Sequence, residues 1–170
     1  NLLSKALLKS FNCPLTNSVG SLFDAVASLL RICQISQFEG QAAMQLEEIA
    51  WTCESEAMYP FEILDTELFT VDWERMLLEL LGDITCNNVS TELIAHKFHN
   101  TLAEICLVIA LRAEQPIVCL SGGCFQNALL TMKTIAKLTT AGFRVYCHEN
   151  IPPNDGGLSL GQIYAATYLG

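Results

Sequence analysis

Pro116-Ile117-Val118-Cys119-Leu120-Ser121-Gly122-Gly123 opens the last third of the chain, and its reading decides the fold. A short apolar run that stops at two glycines has the length and ending of a buried strand entering a tight turn. A helix is predicted from about 127 to 139, closed by Ala141-Gly142, with a second strand over 144–148. Pro152-Pro153-Asn154-Asp155-Gly156-Gly157 then leads into a last helix. Strand, glycine turn, helix, strand is a βαβ unit, and its crossover makes the two strands parallel. Loops 121–123 and 154–157 then fall at the carboxyl ends of neighbouring parallel strands, where open α/β sheets bind ligands.

Upstream the rhythm is helical. Leu22, Phe23, Val26, Ala27, Leu29 and Leu30 follow helical spacing over 21–33, with Asn17 or Ser18 available as a cap. A second helix is predicted over 41–53, after the break at Phe38-Glu39-Gly40. Segments 61–64 and 68–71 read as a short hairpin around Asp65-Thr66. Helices resume at 72–81 and 90–112, the latter opening on a capped Ser90-Thr91-Glu92 start. The whole predicts one helix-rich α/β domain over 1–170.

Composition narrows the classes. Hydrophobic residues make up 51% and charged residues 16% of the 170, and the mean hydropathy is +0.35. No run of about 18 uninterrupted apolar residues is present, so no membrane partner is expected. The start at Asn1 rather than Met, with this apolarity, predicts a piece whose apolar faces meet the rest of a longer chain. Nine Lys and Arg are scattered through a chain of net charge −9, which argues against nucleic acid bound in a basic groove. A single nucleotide needs no such cluster, because backbone N–H groups hold phosphates. The eight cysteines form no CxxC pair and fall singly in apolar runs, so they read as buried free thiols of a cytoplasmic protein.

The motifs have two readings each. The glycines of Leu120–Leu130 (LSGGCFQNALL) either serve a tight turn or let the backbone approach a ligand, with the following helix N-terminus favouring an anion. Asp155 is either an Asx turn residue or an exposed carboxylate for a hard cation or iron. His96 and His99, at i and i+3, share a helix face as a metal pair would, but no third ligand is evident nearby. Trp51 and Trp73 are expected in the core or at a lobe interface, and the acidic stretch 47–56 as a solvated helix face.

Four segments in order, NSVGSLFDAVASLL (17–30), FEGQAAMQLE (38–47), LSGGCFQNALL (120–130) and HENIPPNDGGLSLGQ (148–162), closely resemble the C-terminal part of the HypF carbamoyltransferase family. More broadly they are similar to the Kae1-like (TsaD-like) branch of the actin and sugar-kinase ATPase superfamily. The resemblance implies one lobe of a Kae1-like ATPase domain with a small sheet, the second of two. In the family, carbamoyl phosphate and ATP yield a carbamoyl adenylate, whose carbamoyl group passes to the C-terminal cysteine of HypE in [NiFe]-hydrogenase maturation. Implied partners are a HypE-like acceptor, the first Kae1-like lobe with its HxxxH metal ligands, and a YrdC-like domain.

By that match Ser121, Gly122, Gly123 and Asn127 face the nucleotide, and Asp24 and Gly40 line the nucleoside pocket. Asp155 completes a metal site, for Fe or Mg, with histidines that this sequence lacks. No catalytic nucleophile is implied, since the acceptor supplies the thiol. Two departures stand out: Ser21 replaces the arginine of the family's SSxGRLFDA, and Gln45 stands where an acid is common. Three other activities remain open: O-carbamoylation of a small-molecule hydroxyl, the tRNA threonylcarbamoyl branch, and a non-catalytic interaction module keeping the fold.

Overall fold

A computed structural model describes residues 2–65, 69–86 and 89–169. Helix α1 spans Leu2–Leu8, α2 Val19–Leu29 and α3 Gln41–Ala50; hairpin strands β1 and β2 span Glu62–Leu64 and Thr70–Asp72. Helices α4 (Glu74–Thr85) and α5 (Thr91–Ala113) follow, then β3 (Ile117–Leu120), α6 (Ala128–Thr140), β4 (Arg144–Cys147) and α7 (Leu158–Leu169). The sequence reading anticipated each of these elements except α1. Thr66 of the predicted turn and Leu68, the predicted start of the second strand, lie outside the described residues, but β1 and β2 pair antiparallel, Ile63 opposite Val71.

Helix starts obey local chemistry. Ser18 caps α2 by accepting the Ser21 N–H, and Ser90 caps α5 by accepting the Leu93 N–H. Helix α2 buries Leu22, Phe23, Val26 and Ala27, one stripe at 3.6-residue spacing, and α3 buries Ala42, Leu46 and Ala50 at intervals of four. Both stripes meet α5, the axle of the fold, where Phe98 sits edge-on to Phe23 with ring centroids 5.0 Å apart. Helix α5 is also the one described helix long and apolar enough to cross a membrane. Of its most apolar window, 61% is buried inside the protein, as a core helix requires.

A polar bracket ties the segment before the hairpin to α4 and α5. The Tyr59 N–H donates to Thr101 Oγ1 at 2.8 Å, while the Tyr59 hydroxyl and Lys97 Nζ both donate to Asp83 Oδ2, at 2.9 and 2.7 Å. Burial and Asp83 push the Tyr59 phenol far above its ordinary range. Desolvation raises the Asp83 carboxyl, but its bonds from Lys97 and Tyr59 and the Lys97 charge outweigh that and hold it below the usual value.

Strands β3 and β4 are parallel, with Ile117 opposite Arg144 and Leu120 opposite Cys147. The βαβ expectation therefore holds. One face, carrying Val118, Leu120 and Val145, packs on Leu138 of α6 and Ala110 of α5 as a second small core. The other face is bare: Ile117 and Tyr146 are 47% and 53% exposed, with Cys119 and Arg144 beside them. Helix α7 has no buried residue among those described. The expectation of buried thiols is corrected too. All eight cysteines are free, but of them only Cys33 is buried, and Cys86, Cys119 and Cys147 are exposed. Trp73 packs against the core, whereas Trp51 is half exposed just beyond α3.

Asp83→Ala is expected to destabilise the fold by about 2 kcal/mol, because it strands a half-buried ammonium and a buried phenol. Urea denaturation measures this; a loss near zero would mean that the bracket contributes no net stability.

Candidate functional site

Leu120 ends β3 in the core, and the chain turns outward at Ser121. Gly122 adopts φ +106°, a region that side-chain-bearing residues rarely enter, and the space where its Cβ would project is open. Its N–H donates to Pro153 O at 2.8 Å, joining the two strand-end loops directly. Ser121 Oγ lies 3.0 Å from His148 Nε2, a second tie between them. Residues Gly123–Gln126 form a 3-10 turn, and Asn127 then caps α6.

The second loop bears on the two readings of Asp155. Asn154, one residue earlier, takes the Asx role: its Oδ1 accepts the Gly156 N–H at 3.0 Å. Gly157 is required by close approach, since a Cβ there would meet Pro152 O at 3.0 Å. Asp155 opens the short 3-10 turn Asp155–Gly157, with its carboxylate exposed and in no hydrogen bond among the described residues. A single carboxylate at a loop tip suits a hard cation as one ligand of several. No group of three or more His, Cys, Asp or Glu able to hold a metal occurs among the described residues, so this chain supplies at most one arm of such a site.

Beneath the turn lies a buried polar node. Asn127 Oδ1 accepts the Leu130 N–H at 2.8 Å, and Asn127 Nδ2 lies 3.0 Å from His99 Nε2. His99 Nδ1 faces Ala95 O at 2.8 Å. A carbonyl only accepts, so Nδ1 carries the proton and Nε2 receives the Asn127 amide proton. Burial pushes the His99 imidazole down to about 4, with the charges of His96 and Lys133 adding to the shift and the Ala95 carbonyl opposing it. His96 turns away, its Nδ1 2.9 Å from Ala50 O. The two histidines thus satisfy separate backbone carbonyls, and the metal-pair reading gives way to a structural one.

Glu47 overturns another expectation. It lies in the acidic stretch read as solvated, yet its Oε1 accepts the Leu129 N–H at 2.9 Å. Two first-turn donors of α6 are therefore spent on Asn127 and Glu47, and a carboxylate already sits at that helix end. An anion is not favoured there as the bare motif implied. Backbone donors that meet no acceptor among the described residues are the Ala128 N–H at the helix start and, one turn earlier, those of Gly123 and Cys124. Only a tertiary contact reveals Glu47; no local signal in the sequence does.

Of the expected site residues, Ser121, Gly122, Gly123, Asn127 and Asp155 are gathered at the strand ends. Asp24 and Gly40 sit apart on the helical layer, Asp24 exposed on α2 and Gly40 at the start of α3 with φ +80°. Helix α2 touches the 3-10 turn, and α3 reaches α6 through Glu47. The two helices thus flank the turn without hydrogen-bonding Asp24 or Gly40 to it. An open apolar groove along Phe125, Thr131, Met132 and Ile135 runs down α6, and Asp155 is not among the residues that line it.

A parallel strand pair whose terminal loops are cross-linked around a glycine turn, packed on a helical layer, has the strand-end loop edge at which open α/β sheets bind ligands. Residues 1–162 match the family model described as the second subdomain of the carbamoyltransferase Kae1-like domain, and the chain belongs to that family. It is 39% identical to the carbamoyltransferase HypF of Synechocystis over 153 residues, which is 89% of this chain and 20% of that protein. Full-length HypF crystallised in a phosphate- and nucleotide-bound form superposes with a TM-score of 0.89 at 38% identity, covering 97% of this chain and 22% of that one. HypF of T. kodakarensis superposes with a TM-score of 0.78 at 28% identity, over 99% and 22%. The chain spans about a fifth of the length of these three proteins.

Two stability predictions follow from the node. His99 protonates near 6.5 when unfolded but only near 4 when folded, so the unfolded state binds more protons between those values. Stability therefore falls as pH drops through that window, by on the order of 3 kcal/mol in all. Urea titrations of the wild type and His99→Gln from pH 7 to 4.5 check this: the wild type loses stability more steeply, and parallel curves would show that the imidazole titrates freely. Glu47→Ala is expected to cost about 1 kcal/mol and to speed amide exchange at Leu129, whereas Glu47→Gln, which keeps an acceptor, recovers most of the loss.

Proposed function

We propose that this chain forms one wall of the nucleotide cleft of a HypF-like carbamoyltransferase. In this reading the complete protein makes a carbamoyl adenylate from carbamoyl phosphate and ATP. The carbamoyl group then passes to the C-terminal cysteine of a HypE-like acceptor in the cytoplasm. The observation that carries the reading is the Gly122 N–H to Pro153 O bond, which holds the glycine turn and the Asp155 loop side by side at the carboxyl ends of β3 and β4. Phosphoryl and acyl chemistry needs a backbone that can come close to oxygen anions and a carboxylate set beside them. This pair of loops supplies both.

Each residue has a task within the chain. Gly122 and Gly123 leave room for phosphate oxygens, and the Gly123 and Cys124 N–H groups are the donors free to meet them. Asn127 anchors the turn from below through His99 and α6, with Ser121 at its rim. Asp24 and Gly40 border the nucleoside from the helical layer. Asp155 reaches outward as a metal ligand, and a bound cation, Fe or Mg, would offset phosphate charge there. The remaining ligands come from a first Kae1-like lobe, whose closure over these loops excludes water. Ser21, in place of the family's arginine, removes one cation from the approach to this cleft.

The test uses the complete protein, with the isolated 170-residue chain as the zero-activity reference. Asp155→Ala is expected to remove bound metal and lower carbamoyl transfer by about a hundredfold while leaving Tm nearly unchanged, because an exposed loop carboxylate makes few packing contacts. Full activity and metal content with a much lower Tm would make Asp155 a structural turn residue instead.

A further inference from the structure

His148 follows β4 directly and is exposed at the mouth between the two loops. Its Nε2 lies 3.0 Å from Ser121 Oγ, and Nδ1 has no hydrogen-bond partner among the described residues. The ring is thus pinned at one nitrogen and open at the other, at the strand ends where a ligand on the glycine turn would lie. Around it the ionisable side chains of the two loops are Glu149, Asp155 and the Cys124 and Cys147 thiols. Burial pushes the Cys124 thiol up, and Cys147 ends β4 on the strand itself. Neither loop carries Lys or Arg. Imidazole is the one side chain in this set suited to accepting and returning a proton near neutral pH.

Carbamoyl transfer requires such a group. A thiol that attacks the carbamoyl carbon must lose its proton, and neither the glycine turn nor Asn127 can take it. We propose that His148, steadied by Ser121, is the general base for the acceptor in this transfer, an assignment that rests on the carbamoyltransferase reading above. Nε2–H donates to Ser121 Oγ, which leaves the Nδ1 lone pair free. Nδ1 takes the proton of the acceptor thiol, and the sulfur pair forms the new S–C bond to the carbamoyl carbon. The C–O bond to the adenylate phosphate breaks, and its electron pair departs with AMP. Ser121 acts through His148 as a positioning residue, fixing which nitrogen faces the cleft.

The experiment separates two half-reactions in the complete protein: pyrophosphate release with carbamoyl phosphate and ATP, and single-turnover carbamoylation of a HypE-like acceptor. His148→Gln is expected to slow carbamoylation by about a hundredfold while pyrophosphate release stays within about twofold of wild type. His148→Ala is expected to lose the same step and to regain about tenfold of it when imidazole is added, a response that a structural defect would not give. Undiminished carbamoylation by His148→Gln overturns the assignment. So does an equal loss of both half-reactions with no rescue by imidazole, which makes the residue a binding or folding element. A wild-type protein that releases pyrophosphate but carbamoylates no acceptor overturns the functional reading itself, and this role with it.

Discussion

Asn127 can hold α6 and the glycine turn together only if its amide faces one way. Its oxygen must accept the Leu130 N–H and its nitrogen must point at His99, and a neutral His99 with the proton on Nδ1 enforces that orientation. The imidazole is buried against Phe23 and Phe98, so the orientation is set from within the core rather than by solvent. Glu47 braces the same helix start from α3. Three helices thus converge on one turn, and the position of the loop above it follows from their packing. Charging His99 would disrupt the fold's core and the seat of its site together.

The same layout explains why the sheet looks half-built. Parallel strands are ordinarily covered on both faces, because their crossovers lay helices there. In this chain α5 and α6 cover one face of β3 and β4, while the face bearing Ile117 and Tyr146 stays open. Helix α7 adds Leu158, Ile163, Tyr164 and Tyr168, each more than 60% exposed. Apolar surface of this extent is characteristic of an interface. It accords with a family whose model names this unit a second subdomain, and with a Synechocystis relative of which the match covers 20%.

Much of the candidate site was legible in the sequence because its devices are local. Gly122 needs a positive φ, Asn127 is a helix cap placed one residue before the apolar run of α6, and the double proline with two glycines marks a tight loop. Each of these signals acts over a few residues, within reach of turn and capping rules. Glu47 was read as solvent-facing because its own helix gives no other hint; its partner is 82 positions away. His99 looked like half of a metal pair because spacing along a helix records which face a residue shares, not what stands opposite. Asp155 had two readings in the sequence, and the structure gives the Asx contact of that loop to its neighbour Asn154.

The sequence by itself determined the order of elements after α1, the parallel strand pair and the family. These follow from apolar periodicity, glycine placement and ordered motifs, all properties of neighbouring residues. Only the tertiary structure decided which donors of the site remain open. It alone showed that α6 spends the N–H groups of Leu129 and Leu130 on Glu47 and Asn127, that His99 is a neutral core strut, and that His148 meets Ser121 across two strands. Each of those contacts joins groups remote along the chain, and its chemistry turns on orientation and burial. A hydrogen bond depends on a few tenths of an ångström and on the tautomer it selects, and those are set only when helices pack.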